Sequence, residues 1–87
     1  MIYPNPADGA DPVRLRLDLT SASDVKVQIF TVAFRKVREQ PYAQVPAGED
    51  LVLELNDHWG KPLASGLYYL VITTTEGRSL EKLLVLR

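Results

Sequence analysis

His58 is the only imidazole in the chain, and it stands between Asp57 and Trp59 in the run "NDHWG". Histidine is the side chain best suited to moving a proton near neutral pH or to ligating a metal. A hydrolytic triad needs it beside a nucleophile and an orienting carboxylate. Ser65 is the one serine with a glycine at its shoulder, but "ASGL" lacks the glycine-serine-glycine elbow that presents a hydrolase serine. Asn5, Asp8, Asp11 and Asp57 carry oxygens of the kind calcium takes six to eight at a time. Their spacing matches no EF-hand loop, and turn-capping accounts for each of them. The residues point to no enzyme, no metal and no cofactor.

What remains is aromatic. Tyr68 stands second in a strongly apolar run, "LYYLVIT", behind the small pair Ser65-Gly66. Such a tyrosine can send its hydroxyl back to backbone just upstream, the tyrosine corner of immunoglobulin-like sandwiches, and Ser65 and Gly66 are expected to clear its approach. On the other face of the same strand Tyr69 and Val71 emerge together, an apolar stripe suited to a partner protein or to cover by a neighbouring loop. Trp59, near Tyr42 and the tyrosine pair, offers a platform for a sugar or a partner. A tryptophan in such a loop more often plugs one end of a sandwich, and plugging is the expectation for Trp59.

The elements that must hold these residues are strands. Residues 1–12 concentrate Pro4, Pro6 and Pro12 with Asn5, Asp8, Gly9 and Asp11, which predicts a linker-like lead-in before a domain of residues 13–87. Val13, Leu15, Leu17 and Leu19 then alternate with Arg14, Arg16 and Asp18, the period of a strand with one dry face. Val25, Val27 and Ile29 repeat the pattern to about Val32, and Ala33-Phe34 make the turn. A charged strand over 35–42, with Pro41 near its end, suits a sheet edge. Leu51, Leu53 and Leu55 alternate again, "NDHWGKPLASG" is irregular, and strands over 67–75 and 79–86 flank a turn at Glu76-Gly77. No segment shows a capped 3.6-residue period. Six or seven short antiparallel strands predict an all-β, immunoglobulin-like sandwich.

With 87 residues, 46% of them hydrophobic and 24% charged, the chain is a single small domain with one core. A net charge of −1 gives no field to draw in nucleic acid, and no apolar run approaches the roughly 20 residues of a membrane-inserting span. Cysteine is absent, so disulfides and thiolate metal sites are excluded. Met1 leads straight into "IYPNPADG" with no signal peptide, and is expected to mark an expression start within a longer protein.

The stretches "YPNP", "VKVQIF", "LELNDHWGKPLASGLYYLVI" and "EKLLVLR" resemble the immunoglobulin-like domain of the flagellar hook-capping protein FlgD. They are similar in equal measure to the C-terminal sorting domains of type IX secretion substrates. The resemblance spans nearly the whole chain and is most specific over Asn56 to Tyr68. One departure stands out: the families carry Asp-x-x-Gly in the turn after the second strand, where this chain has "TVAFRKV". The resemblance implies a non-catalytic C-terminal module of a larger exported bacterial protein, at the cell surface or outside the cell. Its role is then structural assembly or surface attachment, with a type IX sorting signal or a carbohydrate-binding accessory domain as alternatives. The implied partners are upstream domains of the parent, a neighbouring subunit or secretion machinery, met through Tyr69, Val71 and Trp59.

Overall fold

A residue period of two asks for one face in water and one in a core, and the folded chain gives its strands that environment. The computed structural model describes residues 2–8 and 12–87. Among these the regular elements are all strands: β1 (Ile2–Tyr3), β2 (Val13–Arg16), β3 (Ser23–Thr31), β4 (Lys36–Val45), β5 (Asp50–Leu53), β6 (Gly66–Thr74) and β7 (Gly77–Val85). They form a three-stranded sheet in the order β1-β2-β5 and a four-stranded sheet in the order β4-β3-β6-β7, with every ladder antiparallel. The two sheets enclose the core. Val13, Leu15, Leu51 and Leu53 line it from one side, and Val25, Val27, Ile29, Leu70, Ile72, Leu83 and Val85 from the other. Each such side chain contributes about 1.5–3 kcal/mol of burial free energy.

The charged strand lies at a sheet edge, as its composition requires, but it runs on past Pro41 to Val45. Its register with β3 shifts twice, between Ser23 and Val25 and between Ile29 and Phe30. Bulges of this kind bend an edge away from foreign strands.

Three expectations need correction. The lead-in is no separate linker where it is described. Ile2 and Tyr3 pair with Leu15 and Arg14, and Ala7 is buried beside Val85. Met1, Gly9, Ala10 and Asp11 lie outside the described residues, and with them the expectations placed on Met1 and Asp11. Leu17, expected in the core, is only half-buried, because β2 ends at Arg16. Trp59 plugs nothing: its side chain is 81% exposed. From the same irregular stretch it is Leu63 that is buried, its amide donating to the Leu55 carbonyl at 2.9 Å.

Candidate functional site

The Tyr68 hydroxyl donates to the Ala64 carbonyl at 2.7 Å, and the ring below it is buried among core residues. The loop before β6 is thereby tied to the strand it feeds. Ser65 and Gly66 contribute differently from the expectation. A Cβ on Gly66 would meet open space, so clearance is not what glycine supplies there; its φ of 155° is. The Ser65 hydroxyl accepts the Arg87 amide at 2.9 Å, and the Arg87 guanidinium donates to the Leu63 carbonyl at 2.6 Å. One short loop thus anchors both β6 and the residues after β7.

Because Tyr68, Leu70 and Ile72 point inward, Leu67, Tyr69, Val71 and Thr73 emerge on the outer face of the four-stranded sheet. Cross-strand register builds rows on that face: Phe30, Tyr69 and Lys82 in one, Gln28, Val71 and Leu80 in the next, then Lys26, Thr73 and Arg78. Leu67 and Leu84 sit opposite each other beyond Tyr69. Leu80 is 58% exposed and Leu67 is exposed as well. The polar side of the face carries Glu39, which accepts from Gln28 at 2.7 Å and from Lys36 at 3.1 Å. These donors hold the Glu39 carboxyl below its ordinary range, the Gln28 bond foremost. The outer face therefore joins an apolar field over β6 and β7 to a hydrogen-bonded polar field over β3 and β4.

Phe34 extends the apolar field from a turn. Its ring stacks on Tyr69 with centroids 5.5 Å apart and planes 8° from parallel, although the side chain is 72% exposed. The backbone beneath is unusual for phenylalanine, with φ at 61°. A second turn in the molecule explains it. At Asp57–Gly60 the Gly60 amide donates to the Asp57 carbonyl, the Asp57 amide to the Lys61 carbonyl, and the Lys61 amide to the Asp57 carboxylate. Thr31–Phe34 repeats all three bonds: Phe34 amide to Thr31 carbonyl, Thr31 amide to Arg35 carbonyl, Arg35 amide to the Thr31 hydroxyl. Both are hairpin turns closed by a left-handed residue, Gly60 at φ 80° in one and Phe34 in the other. Thr-x-x-Phe makes the turn that Asp-x-x-Gly makes elsewhere, and presents a ring in doing so.

Trp59 is not part of this face. Its turn docks on the free edge of β4, where the His58 amide donates to the Val37 carbonyl at 3.1 Å and Arg38 reaches the Asn56 carbonyl. Its ring meets that of His58 nearly at right angles, 5.9 Å between centroids. Tyr42 packs against the core instead, and burial pushes its hydroxyl pKa up. The partner surface proposed from the sequence thus divides: Tyr69 and Val71 share one face, and Trp59 stands apart.

Two clusters escaped sequence reasoning. Asn5 donates to the Lys82 carbonyl at 2.8 Å and accepts the Leu84 amide at 3.1 Å. Ala7 continues the strap, its amide to the Leu84 carbonyl and its carbonyl from the Leu86 amide, each at 2.8 Å. "YPNP" therefore covers part of the exposed edge of β7. Its motif status was the only available signal, since the contacts span nearly the whole chain. In the second cluster the Tyr3 hydroxyl donates to Asp50, and Arg16 lies 3.3 Å from the same carboxylate and 6.0 Å from the Tyr3 ring centroid. The Tyr3 bond, with help from Arg16, holds the Asp50 carboxyl below its usual range and raises the Tyr3 hydroxyl above its own. These three residues clip the edge strand β1 to β2 and β5.

The sequence matches the secretion system C-terminal sorting domain over residues 1–86. No curated protein matches it. Among solved structures, the chain is similar to part of latent dimeric PorU from Porphyromonas gingivalis, with TM-score 0.71 and 20% identity over 99% of this chain and 9% of that one. It is also similar to part of PorZ, a surface component of the type IX secretion system of the same organism, with TM-score 0.71 and 20% identity over 100% of this chain and 11% of that one. At such identity the likeness is one of fold, and the chain spans about a tenth of either structure's length. A type IX sorting tail marks its protein for the cell surface or the extracellular space. With nearly every residue inside the matched region, the chain belongs to the family of secretion-system C-terminal sorting domains.

Proposed function

We propose that this sandwich is the type IX export address of a larger protein, acting by recognition and not by chemistry. The observation that carries this reading is the family match over residues 1–86. The surface that would be recognised is the outer face of the four-stranded sheet, with Tyr69, Val71, Leu80 and Phe34 at its centre. Apolar side chains in such number cost little to desolvate and give a partner in the secretion machinery area to bury. The polar field beside them supplies register. An assembly role, as in a hook cap, would use the same sandwich but has no separate observation in its favour. Sugar binding at the exposed Trp59 has no separate observation in its favour either.

The experiment is deletion of residues 1–87 from the parent, followed by activity in lysate and distribution among periplasm, surface and medium. Any upstream activity is expected to persist while the protein stays in the periplasm. A folded parent that loses activity but keeps its distribution overturns the reading. The face itself is tested by Val71→Asp with Leu80→Asp in the intact parent, which should block export while the sandwich stays folded. Undiminished export of that variant would remove the face from the account.

A further inference from the structure

The two edges of the four-stranded sheet are finished differently. Along β4, two register shifts, Pro41 and the docked turn at His58 keep foreign strands away. β7 instead runs beside β6 without a shift, from Gly66 opposite Val85 to Thr74 opposite Gly77. On its other side the strap of Asn5 and Ala7 takes the Lys82 carbonyl, the amide and carbonyl of Leu84, and the Leu86 amide. Backbone groups of an antiparallel strand face its two sides by alternate residues, so Arg78, Leu80 and Lys82 turn theirs to that same edge. Among the described residues, nothing bonds the Lys82 amide there, nor the amides and carbonyls of Leu80 and Arg78. The strap stops short of them.

The side chains above this open edge read cation, apolar, cation. Arg78, Leu80 and Lys82 share the outer face and are all exposed. Among the described residues, neither Arg78 nor Lys82 is ion-paired. The nearby carboxylates are engaged elsewhere. Glu39 accepts from Gln28 and Lys36, Asp24 accepts the Gln44 amide at 3.0 Å, and Glu76 accepts the Thr20 amide and hydroxyl, each at 3.0 Å. A second copy fits this edge badly. Antiparallel pairing of two β7 strands about Leu80 would set Arg78 of each against Lys82 of the other, like charges directly opposed. A strand with a carboxylate opposite each cation reverses the sign of both contacts.

We propose that this edge takes an extended acidic segment of a partner protein as a fifth strand, with carboxylates opposite Arg78 and Lys82 and an apolar side chain opposite Leu80. In such strand addition the backbone bonds give affinity and the alternate side chains give specificity. The inference rests on the recognition reading above and deepens it, since the added strand abuts the apolar field of Val71 and Tyr69.

The test is residue-resolved amide exchange on the intact parent with a capped synthetic heptapeptide as probe. Its glutamates stand two residues either side of a central valine, with threonine elsewhere, and a counterpart carries lysine in place of glutamate. The glutamate peptide should slow exchange at Arg78, Leu80 and Lys82, whose amides face the edge. Ser79 and Glu81, turned toward β6, should keep the exchange they had. The glutamate peptide should bind about tenfold or more tightly than the lysine one, and Arg78→Glu with Lys82→Glu should reverse that order. Leu80→Pro removes an outward amide, which an edge strand tolerates, and should abolish the protection while β6 stays folded. The proposal is overturned by absent protection at millimolar peptide, by protection that ignores the alternation, or by equal binding of the two peptides. It is overturned as well by edge amides protected before any peptide is added. The occupant would then be the parent's own chain or, where protection grows with protein concentration, a second copy. None of these readouts involves export, so the added strand and the sorting role can fail separately.

Discussion

Replacing Phe34 with glycine sets opposed effects of similar size against each other, and the structure shows how to separate them. Phe34 sits at φ 61° in a turn whose counterpart places Gly60 at that position. The left-handed conformation costs an L-residue roughly 1–2 kcal/mol, which glycine removes. Glycine's greater freedom in the unfolded chain gives back about 0.5–1 kcal/mol. The stack on Tyr69, at 5.5 Å and 8°, contributes about 0.5–1.5 kcal/mol beyond area burial and is lost with the ring. With Tyr69 present, Phe34→Gly should therefore fall within about 1.5 kcal/mol of neutral. In a Tyr69→Val background the stack is already gone, and the same change should stabilise by up to about 1.5 kcal/mol. Urea unfolding of the four proteins gives the coupling as the difference between those two effects, expected at about 0.5–1.5 kcal/mol. A coupling below about 0.3 kcal/mol refutes the stack as an energetic contact. Destabilisation in the Tyr69→Val background refutes the conformational cost assigned to Phe34.

Tyr68→Phe should cost about 1 kcal/mol, the lower part of the range for a lost hydrogen bond, because Ala64 is exposed and water can take up its carbonyl. That corresponds to a fall in Tm of roughly 4–8 °C, and an unchanged Tm would mean that the bond contributes nothing. Asn5→Ala removes both bonds to the β7 edge and should speed amide exchange at Leu84; unaltered exchange there would show that the strap does not protect that edge. Asp50 has a depressed folded pKa, so its contribution is complete above the ordinary carboxylate pKa near 4 and fades as pH falls through the folded value. Tyr3→Phe removes the main cause of the depression, and its acid unfolding midpoint should move to higher pH; an unmoved midpoint would detach Tyr3 from acid stability.

The strands were legible because each carries its own record. Val25, Val27 and Ile29 alternate with Lys26 and Gln28 whatever lies elsewhere in the chain, and the two-residue period alone assigns their inner face. The outward pair Tyr69 and Val71 followed from the same parity. Contacts made at long range left no such record. Nothing local to Asn5 says that Lys82 and Leu84 await it, and three prolines so close together argued for a lead-in when the chain folds onto an edge. Phe34 was read as turn but not as ring, since its place in the left-handed position depends on the three hydrogen bonds around it. Trp59 misled for a different reason. Size suggested burial, but the Asp57 carboxylate takes the Trp59 and Lys61 amides, each at 2.9 Å, and fixes a tight turn that holds the indole outward.

The central claim is that this sandwich is an export address, and transfer of the address tests it most directly. Residues 1–87 are fused to the C-terminus of a periplasm-directed reporter in a bacterium that runs a type IX system, beside a fusion whose core is broken by Leu70→Asp. Fractionation measures the reporter in periplasm, on the surface and in the medium. The account predicts surface or medium for the intact fusion and periplasm for the broken one. An intact, folded fusion that remains in the periplasm would contradict it.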